Sequence, residues 1–110
     1  MLFCITANYT PQALNAMREN PNSNRRQAVD QLLEAAGGKV VAMYGTVSEG
    51  PGALVIFDVD PVAAPAITGV VISSGAVHNV KLMRLLSPED VVAVRQKAQQ
   101  IRGSYKPPGQ

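Results

Sequence analysis

The chain contains no tryptophan, one cysteine, one histidine, two phenylalanines and three tyrosines. Each shortage excludes something. A lone cysteine, Cys4, admits no disulfide within the chain, which fits a reducing compartment and predicts a cytoplasmic protein. Nothing basic flanks Cys4 to activate its thiol, so it reads as a small buried apolar group. A lone histidine, His78, without cysteine or carboxylate close by in sequence, does not make a metal centre, and no metal or other cofactor is expected. The N-terminus lacks the basic segment and long apolar run of a signal peptide. No stretch approaches the roughly 20 apolar residues that cross a bilayer. Ser-His-Asp, HExxH, CxxC and Walker patterns are all missing. Gly50-Pro51-Gly52 is glycine-rich, but it joins two strands rather than a strand and a helix, so it is a hairpin turn and not a phosphate cradle.

Charge is equally sparse. Ten basic and eight acidic residues leave a net +2. The basic residues are scattered, with only Arg25 and Arg26 adjacent, and they do not cluster with the aromatics. Nucleic acid is therefore not an expected partner.

What is present is one pattern written twice. Residues 2–47 spell strand, helix, strand, and residues 53–86 spell it again. Leu2 to Tyr9 alternates, with Phe3, Ile5, Ala7 and Tyr9 on one face and Leu2, Cys4, Thr6 and Asn8 on the other. Thr10-Pro11 opens a helix that breaks at residues 20–24 and restarts behind Asn24, whose spacing to Gln27 resembles a capping box. Gly37-Gly38 ends it. Strands are predicted over 39–47 and 53–59, a second helix over 61–73 with Pro65 distorting its first turn, and a fourth strand over 77–86. Ser87-Pro88-Glu89-Asp90 starts a final helix with a stripe at Val91, Val94, Ala98 and Ile101. The expected fold is α+β: a ferredoxin-like βαββαβ unit with a four-stranded antiparallel sheet plus a C-terminal helix. Residues 1–103 form the single domain and 104–110 a disordered tail.

Helices cover only one face of such a sheet, yet the second and third strands are apolar on both. Val41 and Met43 oppose Val40 and Ala42; Leu54 and Ile56 oppose Val55 and Phe57. Leaving four such side chains in water would forfeit about 1.5–3 kcal/mol each, a large sum beside a domain stability of roughly 5–15 kcal/mol. A second copy packed sheet to sheet supplies the cover, so a homodimer or larger self-assembly is expected. Residues 61–80 contain no Asp, Glu, Lys or Arg. The second helix, which includes Ile67 and Val71, therefore either packs on another subunit or flanks an apolar pocket.

Candidate polar groups are few. His78 shares strand parity with Val80 and Leu82 and is either a candidate acid or base or a hydrogen-bonded residue at the strand's end. Asp58 either pairs with Lys81 or Arg84 or is a pocket carboxylate of raised pKa. Tyr9 and Tyr44 are core rings or present hydroxyls to a pocket, and Asn8 is placed to orient a small polar ligand. The ligand-binding set predicted from sequence is Tyr44, His78, Asn8, Ile67 and Val71; the catalytic candidates are His78 and Asp58.

Asn8-Tyr9-Thr10 closing the first strand, Ala36-Gly37-Gly38-Lys39 ending the long helix, the strand Val40 to Thr46 with Tyr44, and Gly75 with Asn79-Val80-Lys81 together resemble the GYD-domain family over roughly residues 2–90. The turn at Ser48 to Gly52 keeps the glycines and lacks the Tyr and Asp for which the family is named, so no role of that pair carries over. The resemblance implies the dimeric α+β barrel superfamily. Its members include cofactor-free monooxygenases, haem-degrading enzymes, dehydratases, isomerases and ligand-sensing regulators, so the fold selects none of these activities. The expectation is a homo-oligomeric domain that binds a small apolar or aromatic molecule or serves as an accessory subunit. The alternatives are a cofactor-independent monooxygenase- or isomerase-like enzyme, and a purely structural assembly module.

Overall fold

The structure, a computed structural model, describes residues 1–110. Four strands, β1 (Leu2–Tyr9), β2 (Lys39–Val47), β3 (Pro51–Asp58) and β4 (Val77–Leu85), form one antiparallel sheet in the order β2-β3-β1-β4. Helices α1 (Pro11–Glu19) and α2 (Arg25–Ala35) connect β1 to β2, and α3 (Ala63–Ser73) connects β3 to β4. This is the predicted ferredoxin-like arrangement. It is followed by α4 (Pro88–Ile101) and a 3-10 turn over Arg102–Ser104. No helix is long and apolar enough to cross a membrane.

Local chemistry sets most boundaries. The Thr10 hydroxyl accepts from the Ala13 N–H at 3.2 Å, and Pro11 takes the first position of α1, where its missing donor costs nothing. Asn24 accepts from the Gln27 N–H at 3.0 Å, which is one half of a capping box. Ser87 and Asp90 complete both halves, each bond 3.1 Å. Behind α2, Gly37 at φ +80° lets the Gly38 N–H reach the Leu33 carbonyl at 2.8 Å and the Gly37 N–H reach Glu34 at 3.0 Å, the Schellman closure.

Three local readings change. Helix α3 starts at Ala63 rather than Pro61; Asp60 accepts from the Val62 N–H at 3.3 Å in a preceding turn. Pro65 thereby falls in the first helical turn, where no intrahelical N–H is required. β3 begins at Pro51, two residues early, because pairing with β2 continues to Val47. In β2 the register shifts between Val40 and Ala42. Val40 pairs with Phe57 and Met43 with Val55, both packed on the core, and Val41 is the extra, exposed residue of the irregularity. A strict two-residue alternation places Val40 and Met43 on opposite faces; one inserted residue brings them together.

The core lies between the sheet and α2 and α3. Phe3, Ile5, Val55 and Phe57 pack from the sheet, with Leu33 from α2 and Ala64 and Ile67 from α3. The Phe3 and Phe57 rings stack with centroids 5.9 Å apart. The opposite face carries no helix. The C-terminal helix has no substantial packing partner among the strands and helices of its own chain. The body and this arm together reach 60 Å along the longest axis, with a radius of gyration of 17.9 Å; a compact domain of this length has about 13 Å.

Candidate functional site

The helix-facing side of β1 and β3 tapers. Down the strand pair the partners are Phe3 with Phe57, Ile5 with Val55, and Ala7 with Ala53. Rings fill one end and methyl groups floor the other. Over the small end sit Ala28, Val29 and Leu32 of α2 and Ile67 and Val71 of α3. The result is a cavity of about 130 Å³ in which fourteen of fifteen lining residues are hydrophobic. The exception is Arg25, exposed at the first position of α2. A dry, apolar-walled cavity of about 150 Å³ holds benzene, and this chamber is close to that size.

On the other face, at the same end of the sheet, a polar corner is organised by Asn8. It is 8% exposed and the one buried polar residue of the chain. Its Nδ2 donates to the Ser48 carbonyl at 2.8 Å and the Gly50 carbonyl at 3.3 Å, and its Oδ1 accepts from Asn79 Nδ2 at 3.0 Å. These bonds tie β1 to the β2–β3 turn and to an irregularity in β4, where Asn79 holds φ 54°. Gly52 is required here for space: an added Cβ would collide with the Ala7 carbonyl oxygen and approach Thr46 Oγ1 to 2.9 Å. Thr10 donates to the Gly75 carbonyl at 2.9 Å while capping α1. Asn8 and Thr10 thus act as clasps. A hollow of about 180 Å³ beside Asn8 is lined by Thr6, Thr46, Ser48, Asn79 and Lys81.

The structure separates the residues expected to share a pocket. Ile67 and Val71 line the apolar chamber. Asn8 and Tyr44 belong to the helix-free face, Tyr44 being 62% exposed, and both amide atoms of Asn8 are already hydrogen-bonded. His78 pairs with Asn8 and Val77 with Tyr9. Val77 lines the chamber, so His78 turns to the helix-free side. The left-handed residue at Asn79 breaks the alternation, which puts His78 and Val80 on opposite faces and corrects the shared parity read from sequence. Asp58 pairs with neither Lys81 nor Arg84. Its carboxylate meets the Met1 ammonium at 2.9 Å. The hydrogen bond from that ammonium, its charge and then Lys39 hold the Asp58 carboxyl below the usual range, the reverse of a raised pocket acid. Asp58 stands at the Phe3–Phe57 end of the sheet, five residues or roughly 16 Å of strand from Ala53. Cys4 is free and buried, and burial pushes its thiol pKa up. No three His, Cys, Asp or Glu side chains gather into a metal-binding group.

The apolar pocket expected beside the second helix exists, with Ile67 and Val71 in its wall, but sequence reading misses Arg25 at its rim, and the expected polar points Tyr44, His78 and Asn8 lie on the other face of the sheet. Ala7, Ala28 and Ala53, whose small side chains leave this volume unfilled, are far apart in the chain, so no local pattern marks the space they share.

No curated protein is significantly similar to the chain. The family model described as GYD domain matches residues 3–94, which takes in all of the sheet but Leu2, helices α1 to α3 and half of α4. The chain belongs to the GYD domain family.

Proposed function

We propose that this protein is a homodimeric binding domain for a small apolar or aromatic molecule, held in the chamber between the sheet and helices α2 and α3. The observation that carries this reading is the chamber: about 130 Å³ with a hydrophobic lining broken only by Arg25 at its rim. An unfilled core of that size costs stability, and a bound ring would recover the lost contacts. The test is thermal unfolding with a panel of single-ring compounds. A binder raises the melting temperature with concentration as linkage requires. Ala53→Leu, which places a side chain in the same space, should raise the ligand-free stability by about 0.5–2 kcal/mol and abolish the ligand response. A flat response across the panel in the parent protein contradicts the reading.

Dimerisation is supported by two surfaces that lack a partner within the chain. The helix-free face presents Ala42, Tyr44, Leu54, Ile56 and Met83, and α4 presents Val92, Val94 and Ile101 to solvent. A second copy related by a two-fold axis brings both surfaces of one protomer against the other. The uncharged stretch contributes less to such an interface than its composition implies, because Ala64 and Ile67 are buried against the chain's own sheet. Val71 faces the chamber, and only Val62, Val70 and Ile72 are exposed large apolar residues of this segment.

A further inference from the structure

We propose that the molecule taken by the chamber is a small carboxylate, with one aromatic ring or branched alkyl body inside and its carboxylate group on Arg25; this rests on the binding reading above. The chamber excludes a charge from its interior, since an ion there would meet apolar walls and no partner. It admits charge only at its rim, and the rim has one charged residue. Arg25 also lines a second hollow, of about 320 Å³, that lies between α1 and the start of α2 and shares Tyr9 with the chamber. Tyr9 and Arg25 line both spaces, so Arg25 stands between the chamber and a more open hollow. Neither lining contains an Asp or Glu.

The guanidinium is also available. The chain's two ion pairs are Met1 with Asp58 and Arg26 with Asp30, so the neighbouring Arg26 is engaged at 3.1 Å and Arg25 is not. An arginine that makes no ion pair and borders an apolar slot can bring its planar guanidinium to bidentate capture of a carboxylate, and its charge disfavours an amine at the same position. The size limit set by the chamber selects acids no larger than benzoate or phenylacetate in the buried portion.

The experiment is isothermal titration of the full chain with toluene, benzoate, phenylacetate and benzylamine, repeated with Arg25→Ala and Arg25→Gln. The expected result is that both acids bind the parent protein and that each variant weakens them about ten-fold or more, a loss clearly larger than any change in toluene affinity. Acid affinity falls with added salt because Arg25 is solvent-exposed, and toluene affinity does not. If toluene binds but the acids bind no better to the parent than to the variants, or if benzylamine matches benzoate, the carboxylate assignment is overturned and the chamber reading stands. If toluene and the acids all fail to bind the parent protein, both fall. Arg25 has no ion-pair partner to lose, so both variants should melt with the parent; a variant that loses toluene and acid equally also overturns the assignment.

Discussion

Asn8 and Asn79, 71 residues apart in the chain, are joined side chain to side chain by a 3.0 Å hydrogen bond. The same Asn8 amide donates to the turn between β2 and β3. One buried side chain therefore holds together the β2–β3 turn, the end of β1 and the irregular start of β4, directly behind the floor of the apolar chamber.

Replacing Asn8 should be costly. Asn8→Ala leaves the Ser48 carbonyl and the Asn79 amide without their partner, and the expected loss is about 1–3 kcal/mol. Asn8→Asp retains the acceptor for Asn79 but sets a carboxylate against two carbonyls, and should also destabilise. Urea unfolding measures both. A change below about 0.5 kcal/mol for Asn8→Ala, the range of a surface substitution, would show that the clasp does not hold the turn.

Two glycine substitutions should have opposite signs. Gly52→Ala drives a methyl group into the Ala7 carbonyl, where both sides are backbone of paired strands, and should destabilise strongly. Gly69→Ala meets nothing within 4 Å inside α3 and should stabilise by roughly 0.5–1 kcal/mol through helix propensity. Thermal melts of the two variants decide the matter; equal effects would contradict the geometry.

The start of α4 should respond to acid. The Ser87 backbone N–H, and then its side chain, hold the Asp90 carboxyl below its ordinary range. A carboxyl depressed in the folded state contributes stability above the unfolded value of about 3.9, and that contribution is lost as pH falls through the lower folded value. The Ser87 amide resonance should therefore titrate with a midpoint below 3.9, and Asp90→Asn should remove the titration. A midpoint at or above the ordinary value would mean that the capping box does not form in solution.

The helix-free face and the α4 arm should control assembly. Ile56→Lys puts a charge in the middle of that face and should yield monomers in sedimentation. Val94→Asp, on the unpartnered stripe of α4, should weaken the dimer without unfolding the body, since α4 has no substantial contact with it. A parent protein that sediments as a monomer, or an Ile56→Lys variant that remains dimeric, would contradict sheet-to-sheet pairing.

Element order, the helix-facing core and the caps at Thr10, Asn24 and Ser87 were legible in the sequence because each follows from local rules: alternation, helical spacing, or a side chain within four residues of its partner. The site was less legible because it depends on two irregularities. One extra residue at Val41 and a left-handed Asn79 each move downstream side chains across the sheet, and neither announces itself in hydropathy. His78 changes face for that reason. Strand position suggests Lys81 or Arg84 as the partner of Asp58, but the partner is the Met1 ammonium, 57 positions away. The chamber arises from coincidence in space of Ala7, Ala28 and Ala53, which no one-dimensional pattern displays.

The most direct test of the binding account is methyl-detected NMR of the isotopically labelled full chain during titration with toluene. The account predicts saturable shifts concentrated on the methyl groups of Ile5, Val55, Ile67 and Val71, with Leu54 and Ile56 on the opposite face unmoved. Shifts confined to Leu54 and Ile56, or no saturable shift on the chamber methyls, would contradict a ligand site between the sheet and the helices.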